Sequence, residues 1–330
     1  MSTVTSHISA ALYWLGTKSE TPLRFNERQG SLPQILDRAG SAHPYTIIAP
    51  ENEPTNGLLH VLAPAGSRLV GKRNGIRIHY TRKRFPSFSL GRVPLQDDQF
   101  VVSPELCFLQ VAELCDLQTT IRFGSELCSR YYRDPFTETL VERRPLTSAA
   151  KIKKYLQASK SSPGIRTANA ALPWLCERAR SPREIELYMA FVLPNAQGGS
   201  HLEPMLVNGN VPLNRLSGDL DYRNHFECDF LWSKKKVIVE YDSEYAHKTH
   251  EARARDESKK NALQFMGYKV ITVLPGNLHT FSGYKAIEKE VAKALNQRLR
   301  PRATGFAQKQ RNLWHWLFSS SDPNIWLKPQ

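Results

Sequence analysis

Residues 225–247, HFECDFLWSKKKVIVEYDSEYAH, gather carboxylates in a pattern that points to metal chemistry. FECDFLW and VIVEYD are rich in aromatic and β-branched residues and read as strands. Only the short polar stretch 233–236 separates them. An antiparallel hairpin whose loop is centred between Lys234 and Lys235 sets Asp229 opposite Glu240 and Glu227 opposite Asp242. Side chains alternate along a strand, so all four carboxylates are expected on one sheet face. Facing Cβ atoms lie about 4.5–5.5 Å apart. At an effective dielectric near 20, two unit charges about 5 Å apart repel by roughly 3 kcal/mol. Stability alone does not favour such a cluster, and a cation is expected to compensate it. A divalent ion that prefers oxygen ligands, Mg²⁺ or Mn²⁺, is the simplest candidate. Lysine pairing, or a register that scatters the acids over solvent, are the alternatives.

The flanking segments must position this hairpin. Residues 247–275, HKTHEARARDESKKNALQFMGYKVITVLP, begin as a polar helix with Asp256, Lys259, Leu263 and Met266 on one stripe. A helix with a charged N-terminal half and an apolar C-terminal half on that stripe places a lysine near the acids. A solvated face laced with ion pairs explains the same residues. Gly267 stops the helix, and GYKVITVLP reads as a strand. Upstream, SPREIELYMAFVLP has Ser181 at the cap, Pro182 at the first helical position and Glu184 three residues after the cap, followed by Ile185, Met189 and Val192 on an apolar stripe.

The N-terminal part reads differently. SLPQILDRAG places Leu32, Ile35, Leu36 and Ala39 at helical spacing. YTIIAP (45–50) and LLHVLAP (58–64) read as strands, and Asn74-Gly75 is a hairpin turn signal within 68–85. Ser103, Pro104 and Glu105 mark a helix start. These features suit a small α+β domain over 1–145. Residues 146–180 read as a basic helical connector, with KIKKYLQ at 151–157 and a break at Ser161-Ser162-Pro163-Gly164. The α/β domain occupies 181–330, and its tail (301–330) is expected to pack back on it. Gly198-Gly199 reads as a turn, and Trp174, Trp232, Trp314, Trp316 and Trp326 as core or docking residues.

Composition bounds these readings. The 330 residues carry 45 Lys+Arg against 31 Asp+Glu, a formal charge of +14 that points to a polyanion, with nucleic acid the default partner. The excess is +3 over 1–145, +6 over 146–180 and +5 over 181–330, so the middle is the most basic part. No apolar run reaches the ~18 residues of a membrane span, and a signal peptide is not expected. Five cysteines without a C-x-x-C pair argue against a disulfide framework or a zinc ribbon and for the cytoplasm. No Gly-rich phosphate loop, G-x-S-x-G elbow or H-E-x-x-H frame is present; His247 and His250 lack the last.

The order of an acidic helix residue, D-F-L-W, a turn, V-I-V-E-Y-D, a histidine, a helix with D-E-S-K-K-N-A-L and then G-Y-K-V resembles the very-short-patch-repair-like branch of the PD-(D/E)xK endonuclease superfamily, in bacterial proteins with a C-terminal nuclease-like domain. The resemblance covers about residues 181–300. The N-terminal region is similar to that of abortive-infection AbiEi-type regulators. The resemblance implies a restriction-endonuclease-like mixed sheet flanked by helices. It implies that Asp229 and Glu240 bind Mg²⁺ or Mn²⁺, and that Asp242 stands where the superfamily's standard motif has lysine, as in the E-x-D of the repair-like branch. The lysine's task then passes to Lys259 or Lys260 on the following helix. Glu184 matches the acidic residue of the first helix, with Glu186 the nearby substitute, although a capping role explains Glu184 equally. His247 matches a histidine that assists proton transfer or contacts phosphate. Arg253 and Arg255, with Lys260, are the expected phosphate contacts. The implied function is metal-dependent cleavage or nicking of nucleic acid, of DNA in preference to RNA and with double-stranded DNA the expected partner, in the context of phage defence; the N-terminal region is a candidate for a protein partner. The alternative is a regulator of a defence or toxin–antitoxin type system that binds nucleic acid without cutting it.

Overall fold

The computed structural model describes residues 3–18, 24–38, 58–67, 75–93, 99–134, 136–213, 225–243, 250–301, 303–319 and 327, without the side chains of residues 24, 37, 38, 250, 252 and 253. The chain is mixed α/β and divides into two compact units, 1–177 with 327–330, and 178–326. Among the described residues, no helix is long and apolar enough to cross a membrane.

In chain order the first unit runs β1 (Thr3–Thr5), α1 (His7–Leu15), β2 (Arg24–Phe25), β3 (Gly30–Ser31), α2 (Leu32–Arg38), β4 (Leu59–Pro64), β5 (Ile76–Thr81), β6 (Arg84–Phe85), β7 (Leu90–Arg92) and β8 (Gln99–Val102). There follow α3 (Pro104–Leu114), α4 (Leu117–Leu127), β9 (Tyr131–Arg133), β10 (Leu140–Glu142), α5 (Ala149–Ala158) and α6 (Ile165–Ala171). Six of these strands form one mixed sheet in the order β2-β7-β8-β1-β4-β5. Every residue of β4 is buried, as expected for an apolar strand between two neighbours. The expected strand at 45–50 lies outside the described residues, as do 68–74. The described arm after Asn74-Gly75 is β5, and it pairs in parallel with β4.

The Ser103 side chain accepts the Leu106 N–H and caps α3 as its sequence implies. Leu32, Ile35 and Leu36 are buried along α2. The stretch expected as a connector is part of the first unit: α5 and α6 pack on α3, and α6 also packs on α4. Its apolar stripe explains this, because Ile152, Tyr155 and Leu156 are buried while Lys151, Lys153 and Lys154 stay exposed. The break at 161–164 is a turn in which Gly164 takes φ +77 before α6.

The second unit comprises α7 (Pro182–Val192), β11 (Leu206–Pro212), β12 (His225–Trp232), β13 (Val237–Tyr241), α8 (His250–Phe265), β14 (Lys269–Val273), α9 (Pro275–Leu278), α10 (Phe281–Ala294) and α11 (Phe306–Phe318). Its sheet has the order β11-β12-β13-β14, with β11, β12 and β13 antiparallel in turn and β14 parallel to β13. The parallel pairing follows from the helical crossover, because α8 carries the chain from the end of β13 back to the start of β14. Leu263 and the flanking Met266 seal α8 onto Cys228, Leu231 and Ile238 of the sheet. On the tail, α11 packs against α7, with Leu313 and Leu317 buried and Trp314 Nε1 donating to Leu278 O (3.2 Å). The tail explains the first glycine of the Gly198-Gly199 turn, and the residue that ends α7, Leu193, explains the second. A Cβ on Gly198 would lie 2.5 Å from Lys309 O, and one on Gly199 would lie 2.1 Å from Leu193 O. Trp232 is buried and donates to Glu203 O (2.8 Å), whereas Trp326 lies outside the described residues.

Candidate active site

The hairpin forms in the expected register. Trp232 pairs with Val237, Leu231 with Ile238 and Phe230 with Val239, across the loop 233–236. At the next step, Asp229 opposite Glu240, side chains replace the backbone ladder. The Tyr241 N–H donates to Asp229 Oδ2 (2.7 Å), and the Asp229 N–H points to Glu240 Oε2 at a long 3.4 Å. The two carboxylates are thus held at a point where the strands part.

Helix α8 supplies the countercharge. Lys259 Nζ lies 2.8 Å from Glu240 Oε1 and donates to Glu227 O at 2.8 Å, so the lysine bridges β13 and β12. Burial of Leu263, one turn on, fixes which face of α8 meets the sheet, and Lys259 follows on that face. Burial opposes the Lys259 ammonium, yet the hydrogen bond and charge of Glu240 dominate the combined effect and leave its pKa above the usual lysine value.

Glu184 completes the group from α7. Its Oε1 accepts the Ser181 hydroxyl (3.0 Å), and its Oε2 accepts the Arg180 N–H (3.1 Å) and Asn208 Nδ2 (2.6 Å). It therefore serves the helix start and also faces the sheet. Asn208 sits opposite Asp229 at a break in the β11–β12 ladder, with φ +49, in the left-handed region that asparagine tolerates. Burial raises the Glu184 pKa against its hydrogen bonds. The Asp229 carboxyl is pushed up to about 8, first by burial and then by the charges of Glu240 and Glu184, against the Tyr241 N–H and Lys259. Without a cation, this site holds a proton at neutral pH.

Glu227 turns to Arg180, with which it forms an ion pair at 2.8 Å. Asp242 follows the end of β13, where its N–H donates to Val273 O (3.0 Å). Glu186, the substitute for Glu184, pairs with Arg183 at 2.7 Å. Arg255 is exposed one helical turn before Lys259, and Lys260 is half-buried. His247 and the Arg253 side chain lie outside the described residues. Asn208 and Arg180 were not legible as site residues. A strand asparagine and a pre-helix arginine carry no spacing signal.

Among the described residues, the one group of three or more His, Cys, Asp or Glu side chains whose ligand atoms all lie within 4.8 Å of one another is His7, His60 and His79 of the first unit. Glu184, Asp229 and Glu240 are gathered more loosely than that. Compared with known proteins, the chain matches no family model, no curated protein and no solved structure.

Proposed function

We propose that the second unit is a metal-dependent phosphodiesterase that cleaves or nicks nucleic acid, with duplex DNA as its substrate class. The observation that carries this reading is the meeting of Lys259 with Glu240 beside Asp229, on three elements that converge at one end of the sheet. The helix, three antiparallel strands, helix and parallel strand from α7 to β14 support a restriction-endonuclease-like reading of the fold. They likewise support the resemblance to the PD-(D/E)xK superfamily, with the lysine moved from the second strand to the helix.

The residues present fit a hard divalent cation, since the donors are carboxylate oxygens and burial leaves their charge deficient in compensation. Asp229 and Glu240 would hold Mg²⁺ or Mn²⁺. When bound, such an ion polarises a phosphoryl oxygen and lowers the pKa of a bound water. Lys259, kept charged by Glu240, orients the attacking water or meets the phosphate oxygens that gain charge. Glu184 holds Asn208 against β12 and adds negative potential behind Asp229. Arg255 and Lys260 on α8 are the residues we assign to flanking phosphates, and the basic excess of the chain favours a polyanion.

Divalent-ion-dependent nicking of a supercoiled plasmid tests the reading, with wild type beside Asp229→Asn. Cleavage that requires the ion and is lost in the variant supports it. Binding without cleavage, across metals and substrates, favours the non-cutting regulator.

A further inference from the structure

The first unit holds a second cluster of ligating side chains, independent of the nuclease reading. His60 on β4 and His79 on β5 project from one sheet face, because Leu62, two residues beyond His60, is the register partner of His79. His7 reaches them from the junction of β1 and α1. There the Ser6 N–H donates to His60 O (3.0 Å), and the His60 N–H donates to Ser9 Oγ (2.8 Å). His7 itself has φ +50, uncommon outside glycine, and its N–H is held by Gln110 Oε1 of α3 (2.9 Å). The rings of His7 and His79 stack with centroids 3.5 Å apart, and His60 Nδ1 lies 3.0 Å from His79 Nε2.

We propose that His7, His60 and His79 bind one transition-metal ion of the Zn²⁺ class. One ring nitrogen from each histidine lies within 4.8 Å of the other two. Tetrahedral zinc, with bonds of about 2.0–2.1 Å, needs its nitrogens about 3.3 Å apart, so the site closes once the stacked His7 and His79 rings turn to aim their in-plane lone pairs at one point. Imidazole is a donor suited to Zn²⁺ and its neighbours in the first transition row.

Simple packing of three histidines accounts less well for the surroundings. His7 Nδ1 lies 2.9 Å from Ser6 Oγ, which orients the ring as partners of metal-bound histidines do. The Glu113 carboxylate stands 3.8 Å from His7 Nε2 and offers a fourth ligand or an anionic balance. His7, His79 and Glu113 also line a cavity of about 700 Å³, which leaves room for a water or an exogenous ligand on the ion. Burial, with Arg77 and the neighbouring rings adding, lowers the pKa of His60 to about 4 and His79 to about 3. Burial lowers that of His7 against the pull of Glu113. Arg77 is the charged group that opposes a cation here.

The test uses the full chain carrying Asp229→Asn, so that the acidic site does not contribute. After EDTA treatment, it is titrated with Zn²⁺ by calorimetry and with Co²⁺ by visible absorption. One equivalent of Zn²⁺ should bind and raise the melting temperature, and Co²⁺ should give the intense spectrum of a tetrahedral site. Adding His79→Gln, on the cavity wall, should weaken Zn²⁺ by about 100-fold or more and abolish the thermal shift. Equal Zn²⁺ affinity with and without His79→Gln would overturn the proposal. So would a weak octahedral Co²⁺ spectrum, or no binding tighter than about 10 μM, and neither of these readouts depends on the variant folding.

Discussion

Lys259 on α8 lies 2.8 Å from Glu240 on β13, and the Glu240 carboxylate in turn faces the Asp229 N–H of β12. One lysine therefore offsets part of the charge of a carboxylate pair that burial and mutual repulsion disfavour. The same arrangement makes it the group best placed to meet a phosphate.

Lys259→Met should reduce nicking by about 100-fold or more, because transition-state charge loses its nearest fixed cation. The metal-free variant should also be less stable by about 1–3 kcal/mol, since Glu240 loses its ion-pair partner. Plasmid nicking checks the first part and urea denaturation with and without Mg²⁺ the second: the ion should recover most of the lost stability.

The proton on Asp229 sets a pH dependence. A carboxyl raised from an ordinary value near 4 to about 8 contributes stability in full below pH ~4 and loses it as pH rises through about 8. Without metal, the melting temperature should therefore fall between pH 5 and 9, and Asp229→Asn should flatten that fall. Mg²⁺ replaces the proton, so its stabilising shift should be larger at pH 8.5 than at pH 6. Calorimetric scans across pH measure all three.

Glu184 separates folding from chemistry. Glu184→Gln keeps the length of the side chain while removing charge from a buried site, and the melting temperature should hold or rise slightly. Nicking should still fall, by roughly 10-fold, because the field behind Asp229 changes. Glu184→Ala should lose about 1–2 kcal/mol as the Asn208, Arg180 and Ser181 contacts go.

Gly198→Ala tests the docking of α11. Its Cβ would meet Lys309 O at 2.5 Å, an overlap that backbone must relieve. A loss of about 2–4 kcal/mol is expected in denaturant unfolding, with faster proteolysis of the tail beyond residue 301.

The acidic hairpin was legible because a two-residue period and a short loop leave one register that buries the aromatic face, and Trp232, Leu231 and Phe230 all follow it. Lys259 was legible through its spacing from Leu263. The fate of Glu227 was not, because Arg180 lies 47 residues away and no periodic pattern links them. Residues 146–180 read as a connector because their lysines dominate the composition, whereas Ile152, Tyr155 and Leu156 decide the packing. The histidine cluster was hidden for a topological reason. His60 and His79 meet only because β4 and β5 pair in parallel, and His7 joins them through an unusual backbone angle.

The most direct measurement is the initial rate of plasmid nicking as a function of Mg²⁺ or Mn²⁺ concentration, for wild type and Glu240→Gln, with refolded secondary structure verified for both. The account predicts saturable metal-dependent nicking by wild type, abolished by EDTA, and a loss of about 100-fold or more in the variant. Equal rates for the two proteins, or nicking that persists in EDTA, would contradict it.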